Sequence, residues 1–239
     1  MGVRPDHRPV AFFDVDETLL ADKSMVSFWR HWRTVWQGAG ATGDRDGELR
    51  TAGADRCALN RAYYRRFAGV PAHVVRAATH RWYDTYRRRP DAFVAAGLEA
   101  VRRHRRAGHE VVLVSGSLRP VVERVAEDVG ADEVCCTRQL VSEDGVLTGE
   151  VDRPMIGRFK AEAVAAVLAG RGVPAARCYA YGDHDSDLQM LRSVGNAVVV
   201  GGSPALRREA RRCGWPVLSA RPGPLMATGD HHVPAGVNQ

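Results

Sequence analysis

The chain has 239 residues, enough for one large domain or for a core with an insertion, and its composition is that of an ordinary soluble globular protein. No apolar stretch approaches the roughly 20 residues of a membrane span, and the polar segment 1–9 is unlike a signal peptide, so a cytoplasmic protein without a membrane partner is expected. Net charge is +6, yet of 34 Lys plus Arg only Lys23 and Lys160 are lysine. GC-rich coding explains the arginines, and a retained lysine hints at a site that needs a compact ammonium. Paired arginines such as Arg102-Arg103 and Arg105-Arg106 read as solvated helix faces and not as a nucleic-acid surface, since no aromatics are interleaved with them. Five cysteines, an odd number without a C-x-x-C pair, speak against a disulfide framework or a zinc site and read as buried free thiols.

Val10 to Phe13 is a short apolar run suited to a strand buried on both faces, and it stops abruptly at Asp14. Lys23 to Trp36 has helical spacing, Gly38 to Gly53 is loop-like, and Leu59 to Phe67 and Pro71 to Tyr86 are again helical. A helix from Ala92 to Arg106 precedes a strand at Glu110 to Val114, which is expected to stop at Ser115-Gly116-Ser117. Pro120 to Val129 is helical, Glu133 to Thr137 a strand, and Leu140 to Glu150 a hairpin turning at Glu143-Asp144-Gly145. A helix at Gly157 to Leu168, a strand at Cys178 to Tyr181, a helix at Asp187 to Ser193, a strand at Ala197 to Val200 and a helix at Pro204 to Cys213 complete the pattern. From Ser219 the segment lacks periodicity and is expected to be disordered. Strands alternating with helices after residue 91 predict an α/β fold with a Rossmann-like, doubly wound parallel sheet. Residues 1–20 and 91–218 are expected to form that core, and residues 21–90 a helical cap domain inserted after the first strand.

Four chemistry-bearing stretches fall at strand ends or helix starts: Asp14 and Asp16, then Ser115, then Lys160, then Asp183 and Asp187 within Gly-Asp-His-Asp-Ser-Asp. In open α/β sheets ligands bind beyond the carboxyl ends of the strands, and paired carboxylates there suit a hard cation such as Mg²⁺. DVDET, VLVSGS, Lys160 and GDHDSD resemble, in order and spacing, the four motifs of the haloacid dehalogenase superfamily of phosphohydrolases. The helical insertion after the first motif is similar to subclass IB, the branch that includes phosphoserine phosphatase.

The resemblance implies a Mg²⁺-dependent phosphomonoesterase that acts on a small organic phosphate through an aspartyl-phosphate. Asp14 would be the nucleophile and Asp16 the general acid and then base. Asp14, the Asp16 backbone carbonyl and Asp183 would hold the metal, with Asp187 holding a metal-bound water or Lys160. Ser115 and the backbone near Gly116 would bind the phosphoryl oxygens, Lys160 would offset their charge, and Thr18 would brace the turn by a side-chain to backbone bond. His184 and Asp185 read as loop structure, and Cys135-Cys136 as strand packing.

Specificity would lie in the cap. By offset from Asp14, Lys23 stands where phosphoserine phosphatases carry a glutamate for the substrate amino group, which argues against phosphoserine; a one-residue shift would put Asp22 there instead. Phe28, Trp29, Arg61, Arg65, Trp82 and Tyr86 could line a pocket, although helical aromatics usually pack in cores. Ser117, where phosphoserine phosphatases commonly have glycine, and Arg119 lie nearer the phosphate. Alternatives are phosphoserine phosphatase itself, a phosphotransferase of the same superfamily, a receiver-like phospho-acceptor and a catalytically silent binding protein. An intact acid at Asp16 argues against the last.

Overall fold

The computed structural model describes residues 8–36 and 55–225. In chain order its elements begin with β1 (Val10–Phe13), α1 (Ser24–Trp36), α2 (Arg56–Arg65), α3 (Ala72–Tyr86), β2 (Phe93–Val94) and α4 (Ala95–Arg106). They continue with β3 (Glu110–Leu118), α5 (Arg119–Val129), β4 (Glu133–Thr137), β5 (Gln139–Val141), β6 (Leu147–Val151) and α6 (Arg158–Arg171). The last are β7 (Tyr179–Gly182), α7 (Leu188–Arg192), β8 (Asn196–Val200), α8 (Pro204–Cys213), β9 (Val217–Leu218) and β10 (Pro222–Gly223).

Six strands form one parallel sheet in the order β4-β3-β1-β7-β8-β9. β1 sits inside it, paired with β3 on one side and β7 on the other. Its side chains alternate between the two faces as strand geometry requires. Ala11 and Phe13 enter a cluster with α4, α5 and the helices α1 to α3, while Val10 and Phe12 enter a second cluster with α6, α7 and α8. All four are fully buried, so the apolar run reads as it does because helices cover both faces.

Helices α1 to α3 pack around aromatic rings. Phe67 lies 6.0 Å from Phe28, 5.6 Å from Trp29, 5.4 Å from Trp32 and 5.4 Å from Tyr63, centroid to centroid. Phe28, Trp29, Trp82 and Tyr86 are therefore core side chains of the helical layer and not pocket walls. The hairpin of β5 and β6 carries this layer from below. Leu147 of β6 is bonded to the segment before α3, the Gly69 N–H donating to Leu147 O and the Leu147 N–H to Val70 O, each at 2.9 Å.

Three expectations need correction. The strand expected to end before Ser115 runs on to Leu118, with a register shift against β4 between Ser115 and Leu118, and the helix follows immediately. The tail is not wholly unstructured: Pro222 and Gly223 pair antiparallel with Val94 and Phe93, an interaction that sequence periodicity cannot register in two residues. Of the five thiols only Cys136 and Cys178 are buried; Cys57 and Cys135 are half-buried and Cys213 is exposed. The loop expected at Gly38 to Gly53 lies outside the described residues.

Candidate active site

The carboxyl ends of β1, β3 and β7 converge because the strands are parallel neighbours. Asp14 leaves β1 with its N–H bonded to Tyr181 O at 2.9 Å, which fixes it against β7. Glu17 then adopts a left-handed φ of 59°, and the chain doubles back so that the Leu19 and Leu20 N–H groups both reach Val15 O at 2.9 Å. That turn leaves Asp14, Asp16 and Glu17 along one cavity wall.

Lys160, in the first turn of α6, is 3% exposed and spans two carboxylates. Its Nζ donates to Asp14 Oδ1 at 2.6 Å and to Asp187 Oδ1 at 2.7 Å. Asp187 is fixed in turn by backbone N–H groups of Asp183 and His184, at 3.3 and 3.2 Å on Oδ2. Gly182 permits this: a Cβ there would lie 2.7 Å from Asp187 Cβ. One oxygen each of Asp14, Asp183 and Asp187 gathers within 4.8 Å.

Burial and like charges decide the protonation. Burial pushes Asp14 up to about 6, with Lys160 opposing, so it remains anionic at neutral pH. Burial, then the Asp14 charge, pushes Asp16 up to about 7, with hydrogen bonds from Ser24 opposing. Asp16 Oδ1 is buried without a hydrogen-bond partner. Burial, then Asp14 and Asp187, pushes Asp183 up to about 9. These carboxylates face one another with too little cationic charge of their own. An all-oxygen donor set of this kind fits a hard divalent cation such as Mg²⁺, which would restore their ionised forms.

The Ser115-Gly116-Ser117 segment forms the other wall. Ser115 Oγ accepts the Ser117 N–H at 3.1 Å, leaving its own proton to donate. The Gly116 carbonyl accepts from Asn60 Nδ2 at 2.8 Å and from the Tyr64 hydroxyl at 3.1 Å, both on α2. Ser117 Oγ lies 2.6 Å from Ser24 Oγ on α1. A cavity of about 100 Å³ is left between the walls.

A family model described as haloacid dehalogenase-like hydrolase matches residues 11–192. The chain belongs to this family. As a haloacid dehalogenase-like hydrolase it is 37% identical to an inhibition of morphological differentiation protein from Streptomyces azureus, over 88% of this chain and 78% of that one. It is 34% identical to a probable phosphatase of Mycobacterium tuberculosis, over 91% of this chain and 77% of the relative. A substrate-bound phosphoserine phosphatase shares its fold with a TM-score of 0.66 at 19% identity, covering 88% of this chain and 92% of that one. Membership of this hydrolase family sets the receiver-like reading aside, and the phosphatase-like recognition holds.

The structure brings Asp14, Asp16, Lys23, Ser115, Gly116, Ser117, Lys160, Asp183 and Asp187 of this hydrolase to one cavity. It does not bring Arg61, Arg65 or Thr18. Arg61 donates to Val151 O at 3.0 Å and Arg65 to Glu150 Oε1 at 3.0 Å, so both serve the hairpin beneath the helical layer. Thr18 is fully buried, and its Oγ1 has no partner, so it makes no bracing bond. Asp22 is held by Arg89 at 2.8 Å and lies outside the cavity, whereas Lys23 lines it. Sequence reasoning missed Arg56, Asn60, Met25, Val26, Leu59 and Ile156 as cavity residues. His184 has the structural role expected, accepting the Ser186 N–H at 3.1 Å, and it also lines the cavity.

Proposed function

We propose that this hydrolase is a Mg²⁺-dependent phosphomonoesterase for a small organic phosphate other than phosphoserine, with residues 21–90 forming a cap over the catalytic core. The observation that carries the reading is the buried Lys160 bridge between Asp14 and Asp187, beside a third carboxylate at metal-sharing distance. Mg²⁺ held by Asp14, Asp183 and the Asp16 carbonyl would offset the negative charge between nucleophile and phosphoryl group.

An Asp14 carboxylate oxygen attacks phosphorus, and the bond from phosphorus to the leaving oxygen breaks. Asp16, which carries a proton near neutrality, gives it to that oxygen, so an alcohol departs and an aspartyl-phosphate remains. The Asp16 carboxylate then takes a proton from water whose oxygen attacks phosphorus, releasing phosphate and regenerating both aspartates. Lys160 holds Asp14 in place and stays charged throughout, since its two carboxylate partners raise its pKa against the opposing effect of burial. Ser115 and the N–H groups beside it supply donors to the phosphoryl oxygens.

A cation at Lys23, with Asp22 turned to Arg89, disfavours a substrate ammonium. The test is hydrolysis of an aryl phosphate by the full chain: turnover requires Mg²⁺, stops in EDTA, and falls at least about a thousand-fold in Asp14→Asn with circular dichroism unchanged. Turnover retained by Asp14→Asn refutes the nucleophile.

A further inference from the structure

β3 reaches Leu118 only by way of a bulge. Its register against β4 passes from Ser115 beside Cys136 directly to Leu118 beside Thr137, so Gly116 and Ser117 are extra residues without a partner there. On the other side β1 pairs with β3 only as far as Leu113. The Gly116–Ser117 peptide thus lies outside both ladders, and buried peptide groups need partners. Side chains supply them at both ends. The carbonyl accepts from Asn60 Nδ2 at 2.8 Å and from the Tyr64 hydroxyl at 3.1 Å, while the N–H donates to Ser115 Oγ at 3.1 Å.

Asn60 is itself oriented for this task. The Thr137 oxygen accepts the Met155 N–H at 2.9 Å, and its own proton goes to Asn60 Oδ1 at 3.5 Å. That leaves the Nδ2 end of the buried amide to face Gly116. A peptide plane turns as one body, so holding its carbonyl also holds its N–H. The N–H occupies one lone pair of Ser115 Oγ, and the Ser115 proton is kept for the cavity that Ser115 lines. Without Asn60 and Tyr64 the carbonyl would be a buried acceptor with no donor, free to turn toward the cavity and set its negative end against the phosphoryl oxygens.

Resting on the phosphatase reading above, we propose that Asn60, assisted by Tyr64, is a positioning residue for phosphoryl binding. It acts through the Gly116–Ser117 peptide to aim the Ser115 hydroxyl, without touching the phosphoryl group itself.

The test is a double-mutant cycle read by affinity and not by turnover. Calorimetric Kd values for inorganic phosphate are measured with saturating Mg²⁺ in the wild-type chain, in Asn60→Leu, in Ser115→Ala and in the double variant. Asn60→Leu is expected to weaken phosphate binding about tenfold or more, and by less than about twofold once residue 115 is alanine. An equal loss in both backgrounds, as from a residue that contacts phosphate directly or only stabilises the helical layer, overturns the proposal. So does a Kd that Asn60→Leu leaves unchanged. Should Asn60→Leu fail to fold, Tyr64→Phe, which removes a single hydroxyl, is expected to weaken phosphate about threefold, again only while Ser115 is present. Hydrolysis of aryl phosphate by the wild type together with additive losses refutes the positioning role alone. Absence of hydrolysis with the coupling intact refutes the phosphatase reading alone, and a wild type that binds no phosphate refutes both.

Discussion

Replacing Lys160 by Met keeps the length of the side chain and removes only its charge and its two hydrogen bonds. In the wild type the ammonium sits 2.6 Å from Asp14 and 2.7 Å from Asp187, all three groups being under a tenth exposed. Taking one partner from a buried ion pair costs about 3–5 kcal/mol, because the remaining charges stay out of water uncompensated. For a chain of this size each kcal/mol moves Tm by roughly 2–4 °C, so a drop of about 6–20 °C is expected without metal. The deficit should also depend on pH. Asp14 already lies at about 6 with the ammonium present; without it, burial and Asp187 push it higher. A carboxyl whose folded pKa exceeds its unfolded value takes up protons on folding, so stability falls as pH rises through that window. The window extends further up in the variant, and its deficit should be largest near pH 8 and shrink toward pH 5. Thermal unfolding in EDTA at pH 5, 6.5 and 8 reads this directly. A Tm at pH 8 within about 2 °C of wild type, or a deficit that does not change with pH, would refute the argument.

Two further expectations concern stability. Gly97 lies in α4, where alanine would ordinarily gain about 1 kcal/mol, but its Cβ would fall 2.1 Å from the Thr18 carbonyl oxygen. Gly97→Ala should therefore destabilise and lower aryl phosphate turnover by displacing the turn after Asp16, whereas Gly170→Ala in α6, with nothing within 4 Å, should stabilise by about 1 kcal/mol; urea midpoints of the same sign would refute this. His104 is buried against Tyr181 at 2.9 Å and His109 at 2.8 Å, and burial first, then His109 and Arg103, lowers its pKa to about 4. Its contribution is complete above the unfolded value near 6.5 and is lost as pH falls toward 4, by up to about 1.4 kcal/mol per unit. His104→Gln should flatten urea stability between pH 7 and 5, and an unchanged slope would count against it.

The sheet was legible because its strands carry the pattern that burial on both faces imposes, and the motif aspartates because they follow those strands directly. Helix α2 shows where legibility ended. Its residues point three ways: Asn60 and Tyr64 toward Gly116, Arg61 and Arg65 toward the hairpin, and Tyr63 toward the aromatic core. Polar and apolar residues occur on several faces, so periodicity shows that a helix exists but not which stripe meets the site. Choosing the arginines for their charge rotated the assignment by one residue, about 100°, and missed Arg56 and Asn60. Likewise Ser115 to Leu118 carries a polar, glycine-containing sequence that reads as a loop, and only pairing with β4 reveals strand.

The stripe that does meet the site has spacing four: Arg56, Asn60 and Tyr64 lie one above another on α2. Its first member faces the cavity, its second lines the cavity and bonds Gly116 O, and its third bonds the same carbonyl. Ser24 repeats the arrangement from α1 through Ser117. A serine at residue 117 thereby gains a structural reason that a glycine there could not have, since glycine has no hydroxyl to offer Ser24. The segment of β3 proposed to hold the phosphoryl group and the helical layer proposed to cap it are thus fixed to each other by three hydrogen bonds. Any movement of the helical layer must break these bonds or carry the Ser115 segment with it. Under the proposed function, selection and chemistry are coupled through the Gly116 carbonyl and the Ser24–Ser117 contact.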